Sequence, residues 1–219
     1  GTPDALLLVF RGFDVPILFA QGDAEGVSSL IAHVDEPVVS IQARPDALQV
    51  ILSRYQMATP RVMWRMALDV EPPLAARHAC DTVSLGPRDL GALEALYASG
   101  SSSGEAPDFF HPSMLELGLF RGVCEGDALV SAAGTHLLSF EEGVCAIGNV
   151  YTRGDRRRQG LATQVTSAVC RDARGKGLAT IVLNVAQHNS ALRMYEQIGF
   201  RRHCEFVAGI AVRRDRQAH

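Results

Sequence analysis

Apolar residues recur along this chain in two rhythms, short β-branched runs and stripes of helical period, and their order predicts an alternating α/β chain. In the first third, Leu6 to Phe10 and Pro16 to Ala20 read as strands and Asp23 to Ala32 as a helix. Pro37 to Gln42 then reads as a strand, Pro45 to Gln56 as a helix and Val62 to Val70 as a strand. Gly22, Pro37, Pro45 and Pro60 stand where such a chain must turn. His33 and Trp64 are single residues in apolar segments and read as packing residues.

Glu71 to Ala79, with Pro72 and Pro73 inside it, reads as a linker or crossover, so the pattern predicts a first unit over 1–75 and a second over 81–219. In the second unit, Leu90, Leu93, Leu96 and Tyr97 form a helical stripe within Pro87 to Tyr97. Ser99 to Pro107 reads as a surface loop, and Pro112 to Leu117 as a short helix stopped near Gly118. Leu119 to Glu125, Ala128 to Ser139 and Val144 to Thr152, separated by turn residues, predict antiparallel hairpins. A helix after Gly160 feeds a strand at Thr180 to Val185, which requires a parallel crossover. A helix over Ser190 to Gln197, then strands Phe200 to Val207 and Gly209 to Arg213, complete the series. The fold class expected is α/β with a mixed, mostly antiparallel sheet.

Composition narrows the function classes. With 219 residues and 47% hydrophobic content the chain can bury a packed core, and no apolar run approaches a membrane span. No signal-peptide pattern is present near Gly1, although a start without methionine leaves upstream residues open; a cytoplasmic protein without membrane partners is expected. The five cysteines, at 80, 124, 145, 170 and 204, include no C-x-x-C pair, which favours free thiols over a disulfide framework or a zinc site. A net charge of −3 argues against nucleic-acid binding, so the arginines at 153, 156, 157 and 158 are a local feature suited to a small anion.

Those arginines lie in NVYTRGDRRRQGLATQVTSAVC, Asn149 to Cys170, where an apolar strand ends, a basic turn follows and Gly160 opens a helix. The free amides and dipole of a helix start favour an anion, and glycine permits close approach. The pattern R-x-x-G-x-A occurs at Arg157 to Ala162 and again at Arg174 to Ala179. The second copy follows a helix and precedes a strand, so it meets a helix's negative end and reads as a helix stop. The first copy lacks both the Walker ending and the three-glycine dinucleotide fingerprint.

With these residues together the chain resembles the GNAT superfamily of acetyl-CoA-dependent N-acetyltransferases. The matching features are the strand Asn149 to Thr152, the turn Arg157 to Ala162, the helix Leu161 to Ala173, the strand Thr180 to Val185 and MYEQIGF at Met194 to Phe200. The resemblance covers roughly Thr82 to Val212, and the NVYT wording is most similar to the glycine N-acyltransferase-like branch. It implies a GNAT fold with a splayed parallel strand pair, and a first third that is a smaller, degenerate GNAT-like half. It also implies acetyl-CoA as co-substrate, with no metal. Backbone groups of Val150, Tyr151 and Thr152 would pair with the pantetheine arm. Arg157, Arg158, Gln159, Gly160, Leu161, Ala162 and Thr163 would surround the pyrophosphate. An amide at Val150 or its neighbour would polarise the thioester carbonyl, and Tyr195 would protonate the departing thiolate. The family often has an asparagine seven residues before that tyrosine. Here His188 holds that place and Asn189 follows, so either faces the pantetheine; Asn184 is a further candidate.

Direct transfer needs a neutral amine. A lysine side chain with pKa near 10.4 has roughly 4 to 5 kcal/mol against it at pH 7, an α-amine near 8 only about 1 kcal/mol. Glu116, near the end of its short helix, and His136, beside the cofactor strand, are the base candidates, a water chain serving equally. Glu141 and Glu142 read as a solvated turn. The expected acceptor is a small-molecule or peptide amine, and the expected state a monomer or homodimer. A CoA-binding regulatory or scaffold protein is the alternative from another class, and a nucleotide-binding switch a third.

Overall fold

The computed structural model describes residues 4–69, 82–101, 106–107 and 109–214. The expected linker at Glu71 to Ala79, Cys80 and part of the loop Ser99 to Pro107 lie outside them. Two compact units are present, one of Gly1–Arg65 with Cys204–His219, the other Met66–His203.

In the first unit, strands β1 (Ala5–Phe10), β2 (Ile17–Gly22) and β3 (Val38–Ala43) line up in that order, followed by the second half of the last strand, β11 (Phe200–Arg213). The β1–β2 and β3–β11 pairs are antiparallel and β2–β3 is parallel. Strand alternation turns Leu18, Val39, Ile41 and Ala211 to one face, where helices α1 (Ala24–Ile31) and α2 (Pro45–Leu52) cover them with Val27, Ile31, Leu48 and Ile51. Asp23 starts α1 by accepting from the Gly26 amide at 2.7 Å.

Two expectations are corrected in this unit. The helix foreseen over Pro45 to Gln56 ends at Leu52, and Tyr55–Met57 forms strand β4, paired with Ala211 to Arg213. Tyr55 is fully buried with its hydroxyl donating to the Glu36 carbonyl at 2.8 Å, and this tertiary anchoring outweighs the helical pattern. The two strands foreseen over Phe200 to Val207 and Gly209 to Arg213 are one strand, in unbroken register with β3 from Val207 to Val212. Gly209 lies inside that strand. A Cβ there would meet the Met57 Sδ at 2.9 Å, so the glycine admits β4.

After β5 (Arg61–Leu68), the second unit carries the sheet order β6 (Val83–Ser84), β7 (Phe120–Glu125), β8 (Ala128–Ser139), β9 (Val144–Thr152), β10 (Thr180–Ala186). All neighbours are antiparallel except β9 and β10, which run parallel. Helices α3 (Leu90–Ser101), α4 (Pro112–Leu117), α5 (Leu161–Gly175) and α6 (Leu192–Ile198) complete it. This is the mixed, mostly antiparallel sheet expected. Val165, Val169 and Cys170 of α5 are buried, and the helix packs across β7, β8 and β9, where Cys145 and Ile147 are buried too. Arg121 of β7 grips Asp172 of α5 through two bonds, 2.6 and 2.8 Å, which fixes the helix on the sheet.

Candidate functional site

The ladder between β9 and β10 runs from Val144 and Thr180 to Ile147 and Leu183 and stops there, although both strands continue. Beyond that point the two strands no longer share hydrogen bonds, which leaves backbone groups of β9 available to an extended ligand. Asn184, exposed on β10, is the first residue past the last pair.

β9 is also distorted at this place. Its pairing with β8 steps from Ala132↔Tyr151 to Gly134↔Gly148, three residues against two, and Asn149 takes φ 53. This is a β-bulge, and asparagine is among the few side chains that tolerate the left-handed region. A compensating bulge puts an extra residue, His136, on β8 between Thr135↔Ile147 and Leu137↔Ala146.

The bulge is held from behind. Tyr97 of α3 donates from its buried hydroxyl to the Asn149 backbone carbonyl at 2.9 Å, and the Asn149 side-chain Nδ2 donates to the Met114 Sδ of α4 at 3.5 Å. The Tyr97 ring packs edge-on against Tyr151 and Phe110 at 6.3 and 5.4 Å. Ser131 meets Thr152 Oγ1 at 2.7 Å. Tyr97, Ser131 and Asn149 were not among the site residues expected from sequence; a tyrosine on a helical stripe reads only as core, and nothing local distinguishes it.

After Thr152 the chain passes through a short 3-10 turn, Gly154–Arg156, and enters α5. Arg153 pairs with Asp155, and Arg156 with Glu125 and Asp155. Arg157 lies over the Tyr151 ring at 5.7 Å and donates to the Thr152 carbonyl at 3.2 Å. Arg158, exposed and at φ 61, has no ion-pair partner among the described residues. Gly160 is the N-cap of α5 at φ 80, a conformation glycine adopts without strain, and it supplies no side-chain cap to the first-turn amides of Leu161, Ala162 and Thr163. A Cβ at Gly160 would meet nothing within 4 Å, so this helix start opens to space. The second R-x-x-G-x-A copy closes the C-terminal end of the same helix, where Gly177 takes φ 83 and Arg174 donates to the carbonyls of Leu178, Ala179 and Leu68.

Tyr195 on α6 is 8% exposed, packs edge-on against Phe200 at 6.1 Å, and its hydroxyl has no hydrogen-bond partner among the described residues. Burial pushes its pKa up to about 12, with the Cys170 thiol adding to the shift, so it is a neutral donor near pH 7. The His136 ring lies where a Gly148 Cβ would sit, with Phe109 edge-on at 6.1 Å. Desolvation holds its pKa below the ordinary histidine value, against an opposing contribution from the Asn149 side chain. His136 is otherwise exposed on β8. Glu116 points to solvent on α4, whose Met114 and Leu115 face inward. His188 is exposed, while the Asn189 carboxamide is engaged in its own loop, accepting from the Ala191 amide at 2.8 Å. Among the described residues no cluster of His, Cys, Asp and Glu is placed to hold a metal, and no helix is long and apolar enough to cross a membrane.

Comparison with known proteins places this geometry. Residues 117–207 match the family model of FR47-like proteins. No curated protein sequence matches the chain. Among solved structures, a GNAT-family acetyltransferase from Novosphingobium aromaticivorans superposes with TM-score 0.68 at 19% identity, over 94% of this chain and 92% of that one. A GCN5-related N-acetyltransferase from Kribbella flavida gives 0.64 at 14% identity, over 96% and 87%. A Drosophila protein gives 0.71 at 16% identity, over 95% and 75%. The chain has the GNAT acetyltransferase fold, and its segment from bulge to Tyr195 lies inside the FR47-like match.

Proposed function

We propose that this protein is an N-acetyltransferase that transfers the acetyl group of acetyl-CoA directly to a primary amine, with Tyr195 as the general acid. The observation that carries this reading is the continuity of one strand. β9 parts from β10 after Ile147, bulges at Asn149 and leads into an uncapped helix start at Gly160. An open glycine, unsatisfied first-turn amides and the unpaired Arg158 suit a pyrophosphate in charge and in space.

When bound, acetyl-CoA supplies an acyl group activated as a thioester. Val150, Tyr151 and Thr152 hold the pantetheine arm through their backbone, and the amides of Arg158 to Thr163 hold the pyrophosphate with Arg157 and Arg158 beside them. Asn184 and His188 line the arm from β10 and its following loop, Asn189 shaping that loop. The Val150 amide donates to the thioester carbonyl oxygen, where negative charge develops. His136, neutral near pH 7, accepts the proton of the amine, with Glu116 the second candidate for that role. Tyr195 gives its hydroxyl proton to the departing sulfur. Cys145 and Cys170 are buried with pKa values pushed up to about 11 and about 12, which makes them poor nucleophiles and favours direct attack over an acyl-enzyme. The acceptor is a small-molecule or peptide amine. Within this reading the first unit is a degenerate GNAT-like half, and the branch is that of the glycine N-acyltransferase-like proteins.

Titration calorimetry with CoA, run beside acetyl transfer to a broad amine panel, tests the proposal. Binding with transfer to at least one amine is expected. Binding without any transfer would replace it by a CoA-binding regulatory role, and tight ATP or GTP binding that CoA does not displace would overturn it.

A further inference from the structure

In the first unit the helices α1 and α2 cover one face of the β1–β2–β3–β11 sheet, and the opposite face is open and apolar. Leu6, Leu8 and Phe10 of β1 are 58%, 51% and 46% exposed, and Ile210 and Val212 of β11 are 51% and 53% exposed. Register makes these one surface. Leu8 stands opposite Phe19 and Phe10 opposite Ile17, and Ser40, the neighbour of Ile17, stands opposite Ile210. Val38 stands opposite Val212. The patch is therefore built by strand alternation across four strands, not by scattered side chains.

We propose that this face is a homodimer interface, covered in solution by the same face of a second copy. The first argument is area. The five exposed side chains alone offer roughly 500 Å² per copy, so two copies bury about 1,000 Å², the threshold for a specific interface, before half-buried Ile17, Phe19 and Val38 are added. The second is charge. No Asp, Glu, Lys or Arg of β1, β2, β3 or residues 207–212 of β11 stands on this face, the guanidinium of Arg65 lying just beyond it over the Phe206 ring, so an acidic or basic partner finds no complement within the patch. Arg11 and Arg213, at the strand ends, belong by alternation to the helix-covered side, where they pair with Glu36 and Asp35.

The third argument is self-complementarity. The apolar flanks lie on β1 and β11, with polar Ser40 and Gln42 on β3 between them. Twofold stacking of two such sheets at about 10 Å sets one copy's β1 flank over the other's β11 flank and leaves the polar pair near the axis.

Sedimentation velocity on the full chain, with Leu8→Lys and Ile210→Lys beside it, tests the inference. A dimer of the unmodified chain is expected in the range up to about 100 µM, and each substitution should weaken it at least about tenfold. Both side chains are exposed, so the far-ultraviolet circular dichroism should stay unchanged, as should the unfolding midpoint at concentrations where the unmodified chain is monomeric. Hydrogen exchange on the unmodified chain provides a readout without mutation: protection of 5–10 and 208–213 should grow with protein concentration. A monomer at about 100 µM, even one that binds phospholipid vesicles or another protein, overturns the inference. So does a dimer that both substitutions leave intact.

Discussion

The Tyr97 hydroxyl donates to the carbonyl of Asn149 at 2.9 Å, joining the core of α3 to the one residue of β9 whose backbone is left-handed. Tyr97 is 7% exposed, so this bond sits where water cannot easily replace it. It holds the carbonyl of the bulge on one side and so presents the following amide on the other. Tyr97→Phe keeps the ring packing but leaves that carbonyl without its donor. The expected cost is about 1 to 3 kcal/mol of stability, seen as a lowered midpoint in thermal unfolding. If the Val150 amide is the oxyanion donor, as proposed, a fall in kcat larger than the change in KM is expected too, because that amide is displaced. A variant with wild-type kcat would separate the bulge from the chemistry.

Much of this arrangement was legible in the sequence, and the part that was not has a physical reason. Glycine context distinguished the two R-x-x-G-x-A copies, because helix polarity follows from the order of strand and helix; Gly160 opens α5 and Gly177 ends it. The parallel β9–β10 pair followed from the same order. What pattern alone could not supply was contact between distant segments. The Tyr97 bond spans 52 residues. The strand at Tyr55 depends on β11, more than 150 positions away, and the approach of Met57 to Gly209 is likewise invisible locally.

His136 gives a pH prediction. If it accepts the proton of the amine, activity requires its neutral form and falls as pH drops through its pKa. Since desolvation lowers that pKa, the acidic limb of kcat/KM should lie below about pH 6.5, the ordinary histidine value. His136→Gln should remove the limb and reduce kcat/KM by about 10²-fold or more. Survival of the limb in that variant would hand the role to Glu116 or a water chain.

Tyr195→Phe tests the general acid. The hydroxyl makes no hydrogen bond with the described residues, so its loss should leave the fold and CoA affinity nearly unchanged. A drop in kcat of about tenfold or more is expected. With its pKa pushed up to about 12, Tyr195 stays protonated through pH 9 and should impose no alkaline limb below that. An unchanged kcat, measured where chemistry limits turnover, would remove the assignment.

Arg158 should matter more for binding than Arg153 or Arg156, although all lie within one turn. The other two spend their charge on Asp155 and Glu125. Arg158→Glu should weaken CoA binding by about tenfold to a hundredfold, the loss of one charge-assisted bond, with thermal stability retained. Arg156→Gln should change binding less than about threefold. Calorimetry decides between them, and equal losses would mean that the turn acts as a diffuse basic patch.

The buried thiols make a prediction about alkaline stability that does not depend on catalysis. Cys145 and Cys170 have folded pKa values of about 11 and about 12, against an ordinary value of 9.0, because burial disfavours the thiolate. Below pH 9 both states keep the protons and the contribution is whole. Above it the unfolded chain loses protons that the folded chain retains. The unfolded state then binds fewer, and stability falls with pH. Each thiol steepens the fall by up to about 1.4 kcal/mol per pH unit between its two pKa values. Denaturant unfolding from pH 8 to pH 11 should show this decline. Cys170→Ala should lower stability at pH 8 through the cavity it leaves, yet flatten the slope above pH 9, which a purely structural loss would not do. A parallel downward shift with the slope unchanged would show that Cys170 does not hold its proton in the folded chain.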